Sequence, residues 1–303
     1  MNSQNVESVA SIIVTFNPDF EVLKRLLNAI ASQVSHVFIV DNSPEISTQK
    51  EVQESVPPNG SCITMGGNFG IAEAINHGIT TADKMNFSHV VFFDQDSLPS
   101  PDLINTLINA MNTEIRAGKK VAAVGPNYQD VKGSHSSPFV KLIGGRLCRI
   151  ACAKDEVVSV DHLITSGCLV SMASLNEIGL MEEKLFIDYV DTEWCLRAIS
   201  KGYEIIGVGN AQMQHDLGNN FVQLFGRTIP VHSSLRYYYL IRNGIWLLKQ
   251  KWVSGSWKLM DARRLFLMYV VYSFFIGRRV ENWKMLSLGI WHAMIGKMGK
   301  FSG

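Results

Sequence analysis

Short apolar runs that alternate with helix-like segments are the feature that most restricts how the first half of this chain can fold. Val9 to Thr15 is rich in β-branched residues, and Asn17-Pro18-Asp19 after it is a typical helix start. Apolar residues then recur at helical spacing from Phe20 to Ile30. Further strands are predicted at 37–40, 62–64, 90–93 and 121–124, and further helices at 71–82 and 101–117. This alternation predicts an α/β fold built on a mostly parallel sheet flanked by helices.

The second half of the chain has a different pattern of predicted elements. Residues 139–160 resemble a hairpin, 164–172 contain a patch of small residues within a probable strand, and 188–201 predict a helix that begins with acidic side chains. After Gly218 the chain predicts long helices rich in Trp, Tyr, Leu, Lys and Arg.

Charge divides the chain at the same point. The 303 residues carry a net charge of +1, but residues 1–218 contain 15 Lys and Arg against 25 Asp and Glu, whereas residues 219–303 contain 13 against 2. We therefore predict an acidic α/β domain over 1–218 and a basic helical region over 219–303.

The cysteines and the N-terminal residues indicate the cellular compartment. Cys62, Cys148, Cys152, Cys168 and Cys195 include no C-x-x-C pair, so reduced thiols are predicted. The first five residues lack a basic stretch followed by an apolar core, so no secretory signal is predicted.

Polar groups follow four of the predicted strands, and the carboxyl ends of parallel strands share one edge of a sheet, where such folds bind ligands. The most informative of these ends is Asp94-Gln95-Asp96, which follows four apolar strand residues. In extended chain, residues two apart point the same way, so Asp94 and Asp96 can aim at one point. Mg²⁺ or Mn²⁺ is typically held by such carboxylates together with substrate phosphates. Glycines in the turn 66–70, including Gly67 and Gly70 around Asn68, would let the backbone approach a diphosphate or ribose closely.

These segments resemble the inverting glycosyltransferases of family 2, which have the GT-A fold, and within that family they are most similar to bacterial rhamnosyltransferases of O-antigen and related polysaccharides. The resemblance covers roughly residues 8–250. The motifs that carry it are Val14-Thr15-Phe16-Asn17, Val40-Asp41-Asn42, Gly67-Asn68-Phe69-Gly70, Phe93-Asp94-Gln95-Asp96-Ser97, Phe186 to Arg197 and Arg236 to Asn243.

The resemblance implies a site for a nucleotide-sugar donor. Asp41 would contact the pyrimidine base, and Thr15, Phe16 and Asn17 would line the same pocket. Gln95 and Arg242 are also expected at the donor. Arg236, six residues before Arg242, lies on roughly the opposite face of an ideal helix, so the two are not expected to reach the phosphates together.

The resemblance also assigns the metal and the base. Asp96 would be the principal ligand of Mg²⁺ or Mn²⁺, with Asp94 near the ribose and metal, and His215 would be a further metal ligand or diphosphate contact. Asp191 takes the position of the general base, although this chain has Val190 where the family usually has Glu. Asp188 and Glu193 are competing carboxylates.

The expected reaction is inverting transfer of one L-rhamnose from dTDP-β-L-rhamnose to a hydroxyl of a polyprenyl-diphosphate-linked glycan. Processive synthases of this fold carry Gln-x-x-Arg-Trp, which is not present in this sequence, so single addition is favoured. A different UDP- or dTDP-sugar donor, or a non-catalytic sugar-nucleotide-binding partner, remain alternatives. A nucleotidylyltransferase and a dinucleotide dehydrogenase are disfavoured because their N-terminal glycine-rich loops are missing.

The apolar run 265–276 contains 12 residues between arginine pairs, which is short of the roughly 20 needed to span a bilayer. A buried helix and an interfacial helix resting on an anionic leaflet are the two interpretations, and the second is favoured. The protein is therefore expected in the cytoplasm, peripheral on the inner face of the cell membrane. A surface for homo-oligomerisation competes with this interpretation, and nucleic-acid binding is not expected because no reader motif accompanies the basic charge.

Overall fold

The computed structural model describes residues 8–130, 136–137, 139–154, 156–215, 220–224 and 226–302. Strands and helices alternate through the first half, as predicted. The strands are β1 (Val9–Thr15), β2 (His36–Asp41), β3 (Gly60–Thr64), β4 (His89–Asp94), β5 (Ser97–Pro99), β6 (Val121–Asp130), β7 (Ser136–Ser137), β8 (Phe139–Ile143), β9 (Arg146–Ile150), β10 (Val157–Val160), β11 (Leu169–Ser171), β12 (Glu204–His215), β13 (Asn220–Leu224) and β14 (Arg227–Val231). The helices are α1 (Phe20–Ile30), α2 (Ile46–Glu54), α3 (Ile71–Lys84), α4 (Leu103–Arg116), α5 (Met172–Ile178), α6 (Val190–Ser200), α7 (Ser234–Leu248), α8 (Gly255–Phe274) and α9 (Arg279–Ile295).

One ten-stranded sheet organises the chain. Its main order is β10-β12-β6-β11-β4-β1-β2-β3, with β5 added against β12 and β7 against β6. Strands β3, β2, β1 and β4 run parallel to one another, as do β6 and β12, while β10 and β11 are antiparallel to their neighbours. The prediction of a mostly parallel sheet is confirmed, and the polar ends of the four parallel strands lie at one edge.

Alternate residues of β1 point into two apolar layers. Ile12 packs with α3 on one face of the sheet, and Ile13 packs with α1 and α4 on the other. Helix α3 comes so close to the sheet that a Cβ at Gly78 would lie 2.5 Å from Ile12 Cγ2, so only glycine fits there. At the start of α1, the Asp19 carboxylate accepts hydrogen bonds from two backbone N–H groups of the first turn, which fixes the helix start.

The region after β12 departs from the prediction in one respect. A hairpin, β13–β14, precedes the three helices, where only helices were expected. The buried residues Leu247, Trp257 and Leu265 of this region belong to the same apolar cluster as Ile12 in the sheet. The predicted domain boundary after Gly218 falls outside the described residues and stays a prediction. Among the helices of the described ranges, none combines the length and apolar character needed to cross a membrane.

The predicted strand at 164–172 is mostly a turn. Only Leu169–Ser171 are extended, because Gly167 adopts a φ of +72° and its N–H bonds to the carbonyl oxygen of Phe92 at 2.7 Å. This turn lies directly against β4 and its carboxyl end. All five cysteines are free thiols, as predicted.

Candidate active site

The polar strand ends meet at one sheet edge in a defined register. Thr15 pairs with Asp41, Asp41 pairs with Thr64 of β3, and Val14 pairs with Asp94. Thr15 and Asp41 therefore lie side by side, with Asp94 one step back on the neighbouring strand. The motifs that the sequence separates by about 80 residues come together in this row.

Asp41 is the buried centre of the row. Its Oδ1 accepts hydrogen bonds from Thr15 Oγ1 at 2.9 Å and from the hydroxyl of Ser43 at 2.6 Å. Its Oδ2 is also buried and has no hydrogen-bond partner in the structure. Because a buried polar atom without a partner is costly, this oxygen is suited to accept a hydrogen bond from an N–H group of a ligand. Asn17 has a φ of +44°, and its N–H bonds to Ser43 Oγ at 2.9 Å, which closes the turn after β1 above Asp41.

The D-x-D turn (residues 94–96) is held from both sides. Gln95 Oε1 accepts a hydrogen bond from the backbone N–H of Phe16 at 2.8 Å, which ties the D-x-D turn to the turn after β1. Asp94 is half-buried and Asp96 is exposed. On the other side, the hydroxyl of Ser166 accepts from the N–H of Asp94 at 3.1 Å and lies 2.6 Å from Ser97 Oγ.

Ser166 and Tyr128 were not singled out from the sequence. Ser166 is completely buried, and Tyr128 Oη donates to its carbonyl oxygen. Burial raises the pKa of Tyr128 strongly, and the carboxylates of Asp94 and Asp191 raise this pKa further. Tyr128 therefore lies within electrostatic reach of both the D-x-D turn and the acidic motif (residues 186–197). The small-residue patch around Ser166 was the one sequence signal that could have pointed to this packing.

The glycine turn is braced by Asn42. Its Nδ2 donates to the carbonyl oxygen of Gly70 at 3.1 Å, and its Oδ1 accepts from the N–H of Phe69 at 2.9 Å. Gly70 has a φ of +93°, and a Cβ there would lie 2.6 Å from the carbonyl oxygen of Phe186. Gly70 is thus required by the contact with the acidic motif. Contacts of Gly67, Asn68 and Gly70 with a donor remain predictions.

The acidic motif begins in an unusual backbone conformation. Phe186, Asp188 and Tyr189 have φ values of +67°, +61° and +66°, which non-glycine residues rarely adopt. Such conformations persist only where the surroundings impose them, and they cluster at functional sites. Asp191 follows at the start of α6, where the helix dipole favours a negative charge.

The three carboxylates of the motif have different partners. Asp188 Oδ1 pairs with Arg236 Nη2 at 3.0 Å, and burial raises its pKa although Arg236 lowers it. Glu193 is buried and pairs with Arg197 at 2.8 Å. Asp191 is half-buried, accepts hydrogen bonds from the N–H and hydroxyl of Thr192, and forms no ion pair among the described residues. Of the three, Asp191 is therefore the carboxylate that is not paired with an arginine among the described residues.

Helix α7 supports the acidic motif from behind. Asn243 Nδ2 donates to the carbonyl oxygens of Leu185, Ile187 and Asp188 at 2.9, 2.7 and 3.0 Å. Its Oδ1 accepts from Arg242 Nε and Nη2, which holds the two side chains together.

Arg242 requires a correction. It is completely buried, and its guanidinium donates to the carbonyl oxygens of Gly299 at 2.6 Å and Leu185 at 3.1 Å. The expected donor contact at Arg242 is contradicted by this burial, because its polar atoms are directed at protein carbonyls. Arg236, on the other side of the helix, is the exposed arginine at the motif.

The candidate metal ligands meet only part of what a divalent cation needs. The described residues contain no cluster of three or more His, Cys, Asp or Glu side chains arranged to hold a metal. Two carboxylates on one turn nevertheless suit a cation whose other ligands are phosphates and water. The backbone of His215 pairs with Ser97, next to the D-x-D turn, but its side chain lies outside what the structure describes.

The sheet edge therefore combines the buried carboxylate of Asp41, the D-x-D turn and the half-buried carboxylate of Asp191. The sequence model of glycosyl transferase family 2 matches residues 11–178, more than half of the chain. The chain belongs to this family, and the protein is a glycosyltransferase.

Individual relatives agree with this assignment. The chain is 33% identical over 248 residues to "dTDP-rhamnosyl transferase RfbF" of Shigella flexneri, covering 81% of each sequence. Among solved structures, the crystal structure of GalNAc-T7 with UDP, GalNAc and Mn²⁺ matches with a TM-score of 0.62 and 12% identity, over 96% of this chain and 57% of that one. S. aureus TarS 1-349 in complex with UDP-GlcNAc matches with a TM-score of 0.56 and 14% identity, over 94% and 81%. These structures establish the GT-A fold.

Proposed function

We propose that this glycosyltransferase moves a single L-rhamnose from dTDP-β-L-rhamnose to a hydroxyl of a lipid-linked glycan, with inversion at the anomeric carbon. The similarity to a dTDP-rhamnosyl transferase over 81% of the chain supports the donor. The observation that carries the chemistry is that Asp191, alone among the three carboxylates of the acidic motif, forms no ion pair among the described residues.

Each residue has a defined part in this reaction. Asp41 Oδ2 accepts a hydrogen bond from the N–H of the thymine ring, and the turn after β1 covers the base. Asp191 removes the proton of the acceptor hydroxyl as its oxygen attacks the anomeric carbon. The bond between that carbon and the diphosphate breaks on the opposite face, so dTDP leaves and the β-linked donor gives an α-linked product.

We propose that Asp96, with Asp94 and His215, holds Mg²⁺ or Mn²⁺ at the donor diphosphate. When bound, the cation neutralises the charge that develops on the leaving diphosphate. Ser166 fixes the backbone of Asp94, so the carboxylates are aimed before the donor arrives. Asp96→Ala is expected to remove the metal dependence of donor binding in calorimetric titrations with and without EDTA. If the metal dependence of donor binding is unchanged in this variant, other residues hold the metal.

The reaction is tested by incubating the purified protein with dTDP-rhamnose, Mg²⁺ and lipid-linked acceptors, and by identifying the product linkage. Asp191→Asn is expected to lower kcat by about 10²- to 10⁴-fold, the usual contribution of a general base, with unchanged donor affinity. Asp83→Asn, an exposed carboxylate near the end of α3 and outside every motif, is the matched control. Full activity of Asp191→Asn would eliminate this residue as the base.

We further propose that α8 and α9 rest on the anionic inner face of the membrane, where such an acceptor is located. Two stripes of apolar side chains, 48–68% exposed, run along these helices at helical spacing. They consist of Phe266, Leu267, Phe274, Trp283, Trp291 and Met294. The exposed cations beside them are Arg263, Arg278, Arg279 and Lys284. Aromatic side chains flanked by cations are typical of interfacial helices on anionic lipid.

Vesicle sedimentation tests the membrane proposal. The protein is expected to bind vesicles that contain phosphatidylglycerol more strongly than neutral ones, and Phe266→Ser with Trp291→Ser should weaken this binding. Ile46→Ser is the control, because Ile46 is 82% exposed on α2, outside the stripes. If the double variant binds vesicles normally but changes the mass in light scattering, the stripes join two copies of the chain instead.

A further inference from the structure

A cavity of about 190 Å³ lies beside the start of α6, under the β8–β9 hairpin and against α8. Six of the residues that line it are His162, Tyr189, Thr192, Trp257, Asp261 and Arg264. Tyr189 and Thr192 flank Asp191 in sequence on either side. The negative charge of Asp191 also acts on His162. The cavity therefore adjoins the proposed base on the side of the C-terminal helices.

Two hydrogen-bonding atoms that belong to residues lining the cavity have no partner. His162 Nδ1 and Trp257 Nε1 are both buried, and neither forms a hydrogen bond in the structure. Trp257 is only 5% exposed, so its position is set by packing. Burying a polar atom without a partner costs free energy, and two such atoms in residues that line one small cavity favour a ligand that supplies both bonds.

The charges of the cavity indicate that this ligand is neutral. Arg264 Nε pairs with Asp261 Oδ1 at 2.8 Å, and Asp261 Oδ2 accepts from Tyr189 Oη at 2.9 Å, so the two opposite charges offset each other. Burial, the largest effect, lowers the pKa of His162, which keeps its ring uncharged near pH 7. Leu147, Leu240 and Met260 complete the wall with apolar surface. An anionic phosphate would find no net positive charge here, whereas a sugar ring combines hydroxyls with apolar C–H faces.

We infer that this cavity binds the terminal sugar of the acceptor, with the indole N–H of Trp257 donating to one hydroxyl and His162 Nδ1 bonding to another. The inference rests on the proposed function, since it assigns the acceptor of that reaction. A sugar bound there lies beside Asp191, which receives the proton of its reacting hydroxyl. His162 and Trp257 then select the acceptor, while the D-x-D turn and Asp41 select the donor.

Binding measurements separate this inference from turnover. A panel of p-nitrophenyl glycosides (α-L-rhamnoside, α-D-mannoside, β-D-glucoside, β-D-galactoside and β-N-acetylglucosaminide) is titrated into the full chain in the presence of dTDP and followed by saturation-transfer NMR. Trp257→Phe keeps the ring and removes the N–H, and it is expected to weaken binding of the preferred glycoside about three- to tenfold, the effect of one hydrogen bond. His162→Ala is expected to weaken binding at least as much. Both variants should bind dTDP as the wild type does.

The controls are Trp252→Phe, which lies just before α8 and outside the cavity wall, and His77→Ala on the exposed side of α3. If both cavity variants bind the glycoside as tightly as the wild type does, the inference is overturned. A wild type that binds dTDP but none of the five glycosides would also overturn it, and the donor assignment would then still stand. A wild type that binds no dTDP would refute the proposed function, and the inference would fall with it.

Discussion

Asn243 offers the sharpest test of how the acidic motif is held in place. Its side-chain amide faces three carbonyl oxygens of residues 185–188, at 2.7–3.0 Å, just before Asp191. The segment includes Asp188 in a left-handed backbone conformation, which needs such support. Asn243→Ala removes the amide protons from these carbonyls and removes the acceptor of two Arg242 donors.

The magnitude follows from these contacts. Two amide protons satisfy the carbonyls, and each buried hydrogen bond contributes about 1 kcal/mol, with a further cost for the arginine donors left without an acceptor. We expect the free energy of unfolding to fall by about 3 kcal/mol, which leaves a domain of ordinary stability folded. We also expect kcat to fall by about 10²-fold, because a displacement of about 1 Å at a catalytic group has that effect. Donor affinity should not change, since Asp41 and the D-x-D turn are untouched.

Asn282→Ala is the matched control. Asn282 is also buried, and its Nδ2 also donates to three carbonyl oxygens, but these belong to Tyr272 near the end of α8 and to Ile276 and Gly277 in the connection to α9. Urea unfolding gives the stability of both variants, and initial rates with dTDP-rhamnose give kcat and KM. A similar loss of stability with unchanged kcat is expected for Asn282→Ala. If Asn243→Ala also keeps the wild-type kcat, the reasoning about the motif is refuted.

Three further predictions concern the glycine turn, the D-x-D turn and pH. Gly70→Ala should lower the free energy of unfolding by about 1–3 kcal/mol more than Gly66→Ala, because both glycines have positive φ but only Gly70 lacks space for a Cβ. Equal stability of the two variants in urea unfolding would contradict this prediction. Ser166→Ala should raise the donor KM several-fold, because it frees the backbone of the D-x-D turn, whereas Ser174→Ala, also buried, should leave this KM unchanged. Burial lowers the pKa of His292 in the folded state, so the unfolded chain binds more protons below about pH 6.5 and the free energy of unfolding falls on acidification. In His292→Gln this free energy should fall less between about pH 7.5 and 5.5. If urea unfolding gives the variant the same pH profile as the wild type, His292 is not a source of the pH dependence.

The alternation of strand and helix was sufficient to predict the sheet, because each parallel strand is buried on both faces and leaves a continuous apolar run. Since the carboxyl ends of parallel strands share one edge, the meeting of Thr15, Asp41 and Asp94 followed from the same argument. Which carboxylates form ion pairs with arginines could not be predicted in this way. Glu193 and Asp191 are two residues apart, yet only the side chain of Glu193 is turned toward an arginine.

Long-range packing explains the main error. The sequence places Arg236 and Arg242 on different faces of a helix but does not say which face is buried. Arg242 was expected at the donor from the resemblance of residues 236–243 to the glycosyltransferase family. In the structure its guanidinium satisfies the carbonyls of residues 50 or more positions away in sequence, Leu185 and Gly299. The hairpin β13–β14 was missed because its strands are five residues long and the surrounding composition favours helix.

The contacts between α7 and the acidic motif limit how this protein can be recombined. Arg242 and Asn243 hold the backbone that precedes Asp191, and Lys300 Nζ donates to the carbonyl oxygen of Asn68 in the glycine turn at 2.9 Å. A chimera that joins the nucleotide-binding half of one family member to the helices of another would therefore also exchange the support of Asp191, the proposed base. Segments 184–191, 242–243 and 299–300 have to be transplanted as one set if acceptor preference is to be changed without loss of turnover.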